Sequence, residues 1–339
     1  MKLMKWLSTL MIAVLILSGC SSTAKKDENG KELKEVNVML DWYPNAIHSF
    51  LYVAIEKGYF KDAGLDVKLQ FPSNPTDPLT LTAAGKTTLG IYYQQDVIVA
   101  KANEQVPITS VGPVVRTPLN QLMSLEESNI KRPKDLEGKT VGYSGTPLSE
   151  ATIKFMVEHD GGDPSKVKLV DVGFELVSAL ITKKVDVISG GMINHELPVM
   201  EHKGYKIATM DSSKFGVPKS REMVFVAGDK TLAKDQETVT AFLKAAEKGF
   251  DFTKKHPEES LDLLLENQEK ESFPLTKAIE EQSLDILLKH METKDEPFLS
   301  DTKEAWDEQT KWLLEQKMIQ ETIPSDQLYK DLVNYSPLS

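Results

Sequence analysis

The chain has 339 residues, a formal net charge of −11 and a single cysteine, Cys20. An acidic surface argues against nucleic acid and against lying flat on anionic lipid, and one cysteine excludes an internal disulfide or a thiolate metal cluster. The roughly 300 residues beyond the N-terminal segment suffice for two domains of ordinary size, each with its own core.

Lys2 and Lys5 form a basic start, and a largely apolar run from Leu7 to Leu17 leads through Ser18 and Gly19 into Cys20. Crossing a bilayer takes roughly 20 apolar residues, so residues 1–19 read as a secretory signal peptide. A cysteine at the cleavage point resembles the lipobox of bacterial lipoproteins, in which Cys20 is lipidated and becomes the first mature residue. Losing Lys2 and Lys5 takes the charge from −11 to −13. Residues 20–35 contain almost no apolar side chains and read as a lipidated, flexible tether. The expected location is extracytoplasmic, anchored to the cell membrane by lipid.

From Val36 onward short β-rich runs alternate with amphipathic stretches. Strands are expected at Val36–Trp42, Asp66–Phe71, Thr88–Gln94, Thr109–Arg116, Gln121–Leu125, Thr140–Ser144, Val167–Val172, Val185–Ser189, Ile207–Met210 and Glu222–Ala227. Helices are expected between them at Ala46–Tyr59, Asp96–Glu104, Leu148–His159, Phe174–Lys183 and Asn194–His202. That alternation implies mainly parallel α/β sheets. After Asp229 only helical periodicity remains, over Asp235–Lys255, Pro257–Leu265, Leu275–His290 and Thr302–Met318. The fold class is α/β and two-lobed, with a cleft between lobes and a helical C-terminal tail. One lobe is placed at 36–115 plus 220–339 and the other at 116–219, with Pro118 and Pro218 flanking the two crossings. Two contiguous domains remain the alternative.

In open α/β sheets ligands sit beyond the carboxyl ends of strands. Four such ends offer candidates: Asp41, Trp42, Asn45 and His48; Tyr92; Ser144, Gly145 and Thr146; and Asn194 with Glu196. Each has a plainer reading. Trp42 could pack between lobes, Asn45 could cap a helix, and His48 could be a hydrogen-bonded structural histidine. Asn194 and Glu196 could be capping or solvated groups. Residues 41–48, 88–100, 140–152 and 185–202 contain no Lys or Arg. Aromatics, amides, hydroxyls and carboxylates suit a flat, nitrogen-rich ring better than a strong anion. No HExxH, EF-hand, Walker loop or Gly-x-Ser-x-Gly motif occurs, so neither metal nor catalytic residues are assigned and no cofactor is expected.

The lipobox, the split α/β order and the segment DWYPNAIHSFLYVAIEKGYFKDAGLDVKL together resemble the solute-binding lipoproteins of ABC importers. The phrase running from Ala54-Ile55-Glu56-Lys57-Gly58-Tyr59-Phe60 to Gly64-Leu65-Asp66-Val67 is similar to one shared across the nitrate/sulfonate/taurine-binding superfamily. Asp41, Trp42, Pro44, Asn45 and His48 resemble a narrower branch, the thiamin-pyrimidine-precursor-binding (ThiY) family, which also includes the fungal pyrimidine synthase. The resemblance implies a type II periplasmic-binding-protein-like fold. It also implies binding of N-formyl-4-amino-5-aminomethyl-2-methylpyrimidine for thiamin salvage, with an ABC permease and its ATPase as partners; a tethered binding protein is most simply a monomer. Carried over, Trp42, Asn45 and His48 would line the first-lobe wall of the cleft. The fungal enzyme consumes its own histidine and uses a cysteine-rich iron motif; this chain keeps the histidine position but not the cysteines, which argues for a binding protein. Riboflavin, another heterocycle or an alkylsulfonate remain alternative ligands. A pyrimidine-transforming enzyme and an adhesion or sensory lipoprotein remain alternative classes.

Overall fold

The computed structural model describes residues 30–333, apart from 269 and 272, together with residue 26. The signal segment and Cys20 lie outside the described residues. Ten strands form two five-stranded sheets. In chain order they are β1 (Lys34–Met39), β2 (Leu65–Gln70), β3 (Leu89–Tyr92), β4 (Ile108–Val115), β5 (Asn120–Leu125), β6 (Thr140–Tyr143), β7 (Lys168–Asp171), β8 (Val187–Met192), β9 (Ile207–Met210) and β10 (Met223–Gly228). Each of the ten expected runs overlaps one of these strands.

The first sheet has the order β2-β1-β3-β10-β4 and the second β7-β6-β8-β5-β9. These are the same arrangement used twice. In each, four strands run one way and one is reversed: β10 is antiparallel to β3 and β4, and β5 to β8 and β9. The expectation of mainly parallel sheets therefore holds with one exception per sheet. The reversed strand is always the one entered directly from the other sheet, because the chain arrives there without a helical crossover to turn it around.

The helices are α1 (Ser49–Glu56), α2 (Tyr59–Asp62), α3 (Asp77–Ala83), α4 (Gln94–Glu104), α5 (Pro147–His159), α6 (Leu176–Ile181), α7 (Glu196–His202), α8 (Asp229–Lys255), α9 (Pro257–Glu266), α10 (Lys277–Leu287), α11 (Lys303–Glu315) and α12 (Ser325–Leu328). Helix α8 has a non-helical residue at Asp235 (φ −156°, ψ 48°), whose carboxylate accepts from the Thr238 hydroxyl. That break coincides with the expected helix start. Helix α3 was not expected: its sequence, DPLTLTA, is rich in weak helix formers, but Pro78 suits the first turn and Leu79 and Thr82 are buried against the first sheet.

The tail helices cover the first sheet. Trp306, Phe242, Phe250, Leu264, Leu284 and Leu313 are all buried there. Phe60 stacks on Phe242 at 5.0 Å, and Phe250 on Phe298 at 4.1 Å. A separate apolar cluster around Met123, Leu176, Leu180, Ile188 and Met200 fills one face of the second sheet. No helix among the described residues is long and apolar enough to cross a membrane.

Candidate functional site

The carboxyl ends of the two sheets face one another across a cavity bordered by all four expected strand ends. After β1 come Asp41, Trp42 and Asn45; after β3, Tyr93, Gln94, Gln95 and Asp96; after β6, Ser144 and Thr146; around the end of β8, Ser189, Gly190, His195 and Glu196. Both crossings contribute as well, through Pro118 and Asn120 on one and Pro218, Arg221 and Glu222 on the other. The volume open to the centres of water-sized spheres is about 110 Å³.

The loop after β1 is built by interlocking hydrogen bonds. The Asn45 side chain accepts from the Ile47 N–H (3.0 Å) and donates to the Tyr43 carbonyl (3.0 Å), so Asn45 is a helix cap as well as a wall of the cavity. The Asn45 N–H donates to His48 Nδ1 (3.2 Å), and His48 Nε2 lies 2.9 Å from Asp41 Oδ1. Because Nδ1 is an acceptor there, the proton sits on Nε2 and is donated to Asp41. The described residues give Asp41 Oδ2 no hydrogen bond. The Ala46 N–H donates to Glu280 of α10 (2.8 Å), tying the loop to the tail.

Six of the ten sequence candidates line the cavity: Asp41, Trp42, Asn45, Ser144, Thr146 and Glu196. The other four do not. His48 is fully buried behind the wall, holding Asp41 rather than facing the opening. Tyr92 packs into an apolar core with Val97, Ile98 and Val224, and its neighbour Tyr93 takes the wall position. Strand β3 is buried on both faces, so its sequence carries no alternation to set the phase. Gly145 turns with φ 77° and its α-carbon faces the Asp171 carboxylate instead of the cavity. Asn194 is buried and donates to the Ser283 hydroxyl of α10 at 3.1 Å.

Sequence reasoning missed the charged pair Arg221 and Glu222 at the second crossing. Glu222 accepts from the N–H groups of Leu119 (2.5 Å) and Asn120 (3.0 Å), linking one crossing to the other. Burial pushes its carboxyl up to about 7, reinforced by nearby Asp41 and opposed by those two N–H donors. Asp96 at the start of α4 is likewise pushed up to about 7 by burial, although the Thr146 hydroxyl and Leu148 N–H across the cleft favour its ionised form. Glu196 accepts from the Met192 N–H at 2.9 Å. Tyr93 is held well above its ordinary value by burial and by Asp41 and Glu222, so its hydroxyl stays a donor.

The four strand ends bring no Lys or Arg, but the second crossing brings Arg221. Its guanidinium is already engaged: Nη2 donates to Glu296 Oε1 (2.6 Å) and Nε to Asp301 Oδ1 (3.2 Å). The cavity thus presents four carboxylates, of Asp41, Asp96, Glu196 and Glu222, against one neutralised arginine. Such a wall accepts hydrogen bonds from amino groups, while Asp96 and Glu222, raised to about 7, can also offer a proton. Trp42 supplies an aromatic face, and its ring meets Phe174 edge-on at 4.4 Å. No group of three or more His, Cys, Asp or Glu among the described residues is placed to hold a metal ion.

Comparisons with known proteins agree with this geometry. A family model described as NMT1/THI5 like matches residues 45–260. The chain is 42% identical over 326 residues to a formylaminopyrimidine-binding protein of Halalkalibacterium halodurans, covering 96% of this chain and 98% of the relative. It is 28% identical over 236 residues to a 4-amino-5-hydroxymethyl-2-methylpyrimidine phosphate synthase of Candida albicans, covering 67% and 69%. Among solved structures, the alkanesulfonate-binding protein SsuA of Xanthomonas axonopodis pv. citri, bound to MOPS, superposes with a TM-score of 0.67 at 11% identity, over 89% of this chain and 99% of that one. The similarity to SsuA shows a shared fold, that of a periplasmic binding protein. On the family match and the full-length identity, the chain belongs to the NMT1/THI5-like family.

Proposed function

We propose that this chain is the solute-binding component of an ABC importer and captures N-formyl-4-amino-5-aminomethyl-2-methylpyrimidine, a thiamin pyrimidine precursor. The observation that carries the reading is the 42% identity, over nearly the whole of both chains, to a protein named for binding a formylaminopyrimidine. The cavity supports it physically. Trp42 and Tyr93 offer faces to a flat ring, and carboxylates accept from its amino group or a protonated ring nitrogen. The lobes are 36–115 with 220–339, and 116–219; closing them over the ring gives a form that the permease and its ATPase distinguish from the empty one. Lipidation at Cys20 holds the monomer at the outer face of the membrane, with residues 20–35 as tether.

The histidine supports binding rather than catalysis. A synthase that consumes its own histidine must expose that ring to the reacting partner. Here His48 is 0% exposed, absent from the cavity wall and hydrogen-bonded at both nitrogens. An alkylsulfonate meets a wall of acidic side chains and an arginine already paired.

Native mass spectrometry of the purified protein tests the reading. A carried-through molecule with the mass of the formylaminopyrimidine is the expected result. A bound flavin or sulfonate would keep the fold and overturn the ligand.

A further inference from the structure

Trp42 is the one aromatic of the wall whose ring is held from the opposite side of the cleft. Phe174 follows β7 of the second sheet, and its ring lies 4.4 Å from Trp42 at 78° and 5.1 Å from Tyr43. Tyr43 in turn stacks on Phe273 of the segment between α9 and α10 (4.1 Å, 16°), and Phe273 meets Phe71 at the end of β2 (5.1 Å, 78°). Five rings therefore run without a break from the edge of the first sheet to the second. Phe174 alone among them belongs to the second sheet's side. It does not line the cavity itself.

The turn that presents Phe174 is fixed. Asp171 Oδ1 accepts from the Gly173 N–H at 2.9 Å, and Val172 and Leu176 on either side are buried in the second sheet's core. Trp42 packs against that same core from the first sheet's side. A ring anchored in this way closes the cleft beside Trp42 and fixes the angle of the indole.

We infer that Phe174 is a positioning residue for the bound solute: its edge-on contact with Trp42 clasps the two sheets together and sets how slowly the ligand escapes. The clasp does not choose the ligand. It acts on release, because a solute enters the open form, in which these rings are apart, and leaves only when they separate. The inference depends on the functional reading only for the ligand used in the kinetic arm of its test.

The test has two arms. In the first, spin labels are placed at Lys86→Cys and Lys184→Cys in the full chain carrying Cys20→Ser. Both positions are exposed and precede β3 and β8, one on each sheet, so a change in how the sheets sit about the cleft changes their separation. Phe174→Ala should shift the ligand-free distance distribution away from that of the ligand-bound wild type, and Phe174→Tyr should restore it. In the second arm, stopped-flow mixing with N-formyl-4-amino-5-aminomethyl-2-methylpyrimidine should show release faster by about tenfold in Phe174→Ala, with association no slower than wild type. If Phe174→Ala does not fold, Phe174→Leu keeps apolar bulk while removing the aromatic edge and takes its place. Unchanged distances and release in a folded variant overturn the clasp, as does full restoration by leucine. A wild-type chain that ignores this pyrimidine overturns the functional reading, and the distance arm still decides the clasp.

Discussion

His48 shows how a residue can belong to a site without touching its contents. The sequence places it in the DWYPN-x-x-H segment and leaves open whether it contacts a ligand or supports the loop; the buried bonds to Asp41 and Asn45 decide for support. Asp41, Trp42 and Asn45 were legible because a strand end followed by a Pro-Asn turn has few other geometries. Glu222 was not, nor was the raised titration of Asp96, because what sets them apart is burial, which only the assembled sheets create. Their ordinary values of 3.8 and 4.5 are both raised to about 7. Each therefore binds its proton more tightly folded than unfolded, so folding takes up protons between about pH 4 and pH 7. Stability from these two groups is greatest at the acid end of that window and falls as pH rises through 7. Thermal melts should give a higher Tm at pH 5.5 than at pH 8, by at least about 3 °C. Asp96→Asn should flatten that dependence; an unchanged slope would remove Asp96 from the account.

Among the elements, the long amphipathic helices and all ten strands could be read from periodicity. Helix α3 could not, since its threonines favour neither helix nor turn until Leu79 and Thr82 find the sheet. The packing of α8 on α1 was also invisible, because it depends on one missing side chain. A methyl group on Gly249 would lie 2.2 Å from the Phe50 carbonyl oxygen and 3.0 Å from the Ala54 β-carbon. The two helices touch backbone to backbone there, so the neighbour cannot yield by rotating a side chain. Gly249→Ala should destabilise the protein by about 2–3 kcal/mol, although alanine is the better helix former. Urea unfolding measures it; a neutral or stabilising result would mean that the helices sit further apart. The tail also braces both crossings. Arg116 donates to the Ser300 carbonyl (2.6 Å) and approaches Glu296 (3.7 Å), while Arg221 pairs with Glu296 and Asp301. Glu296 is only partly exposed, so Glu296→Gln should cost about 2 kcal/mol in the same assay by leaving two guanidinium groups short of charge.

At the scale of the whole molecule, two copies of one sheet order joined by two crossings put four strand ends and both crossings around a single space. The alternation of elements made the architecture legible. The charge of the cavity was not, since Arg221, Glu222, Glu296 and Asp301 come from segments far apart in the chain and converge only when the tail folds back over the first sheet. The resulting cavity is small, carboxylate-rich and backed by an indole. The measurement that tests this most directly is calorimetric titration of wild type and Trp42→Ala with N-formyl-4-amino-5-aminomethyl-2-methylpyrimidine. Saturable one-to-one binding by wild type, weakened by about a hundredfold in the variant, is the predicted result. Affinity within threefold of wild type in a folded Trp42→Ala protein would contradict the placement of the site.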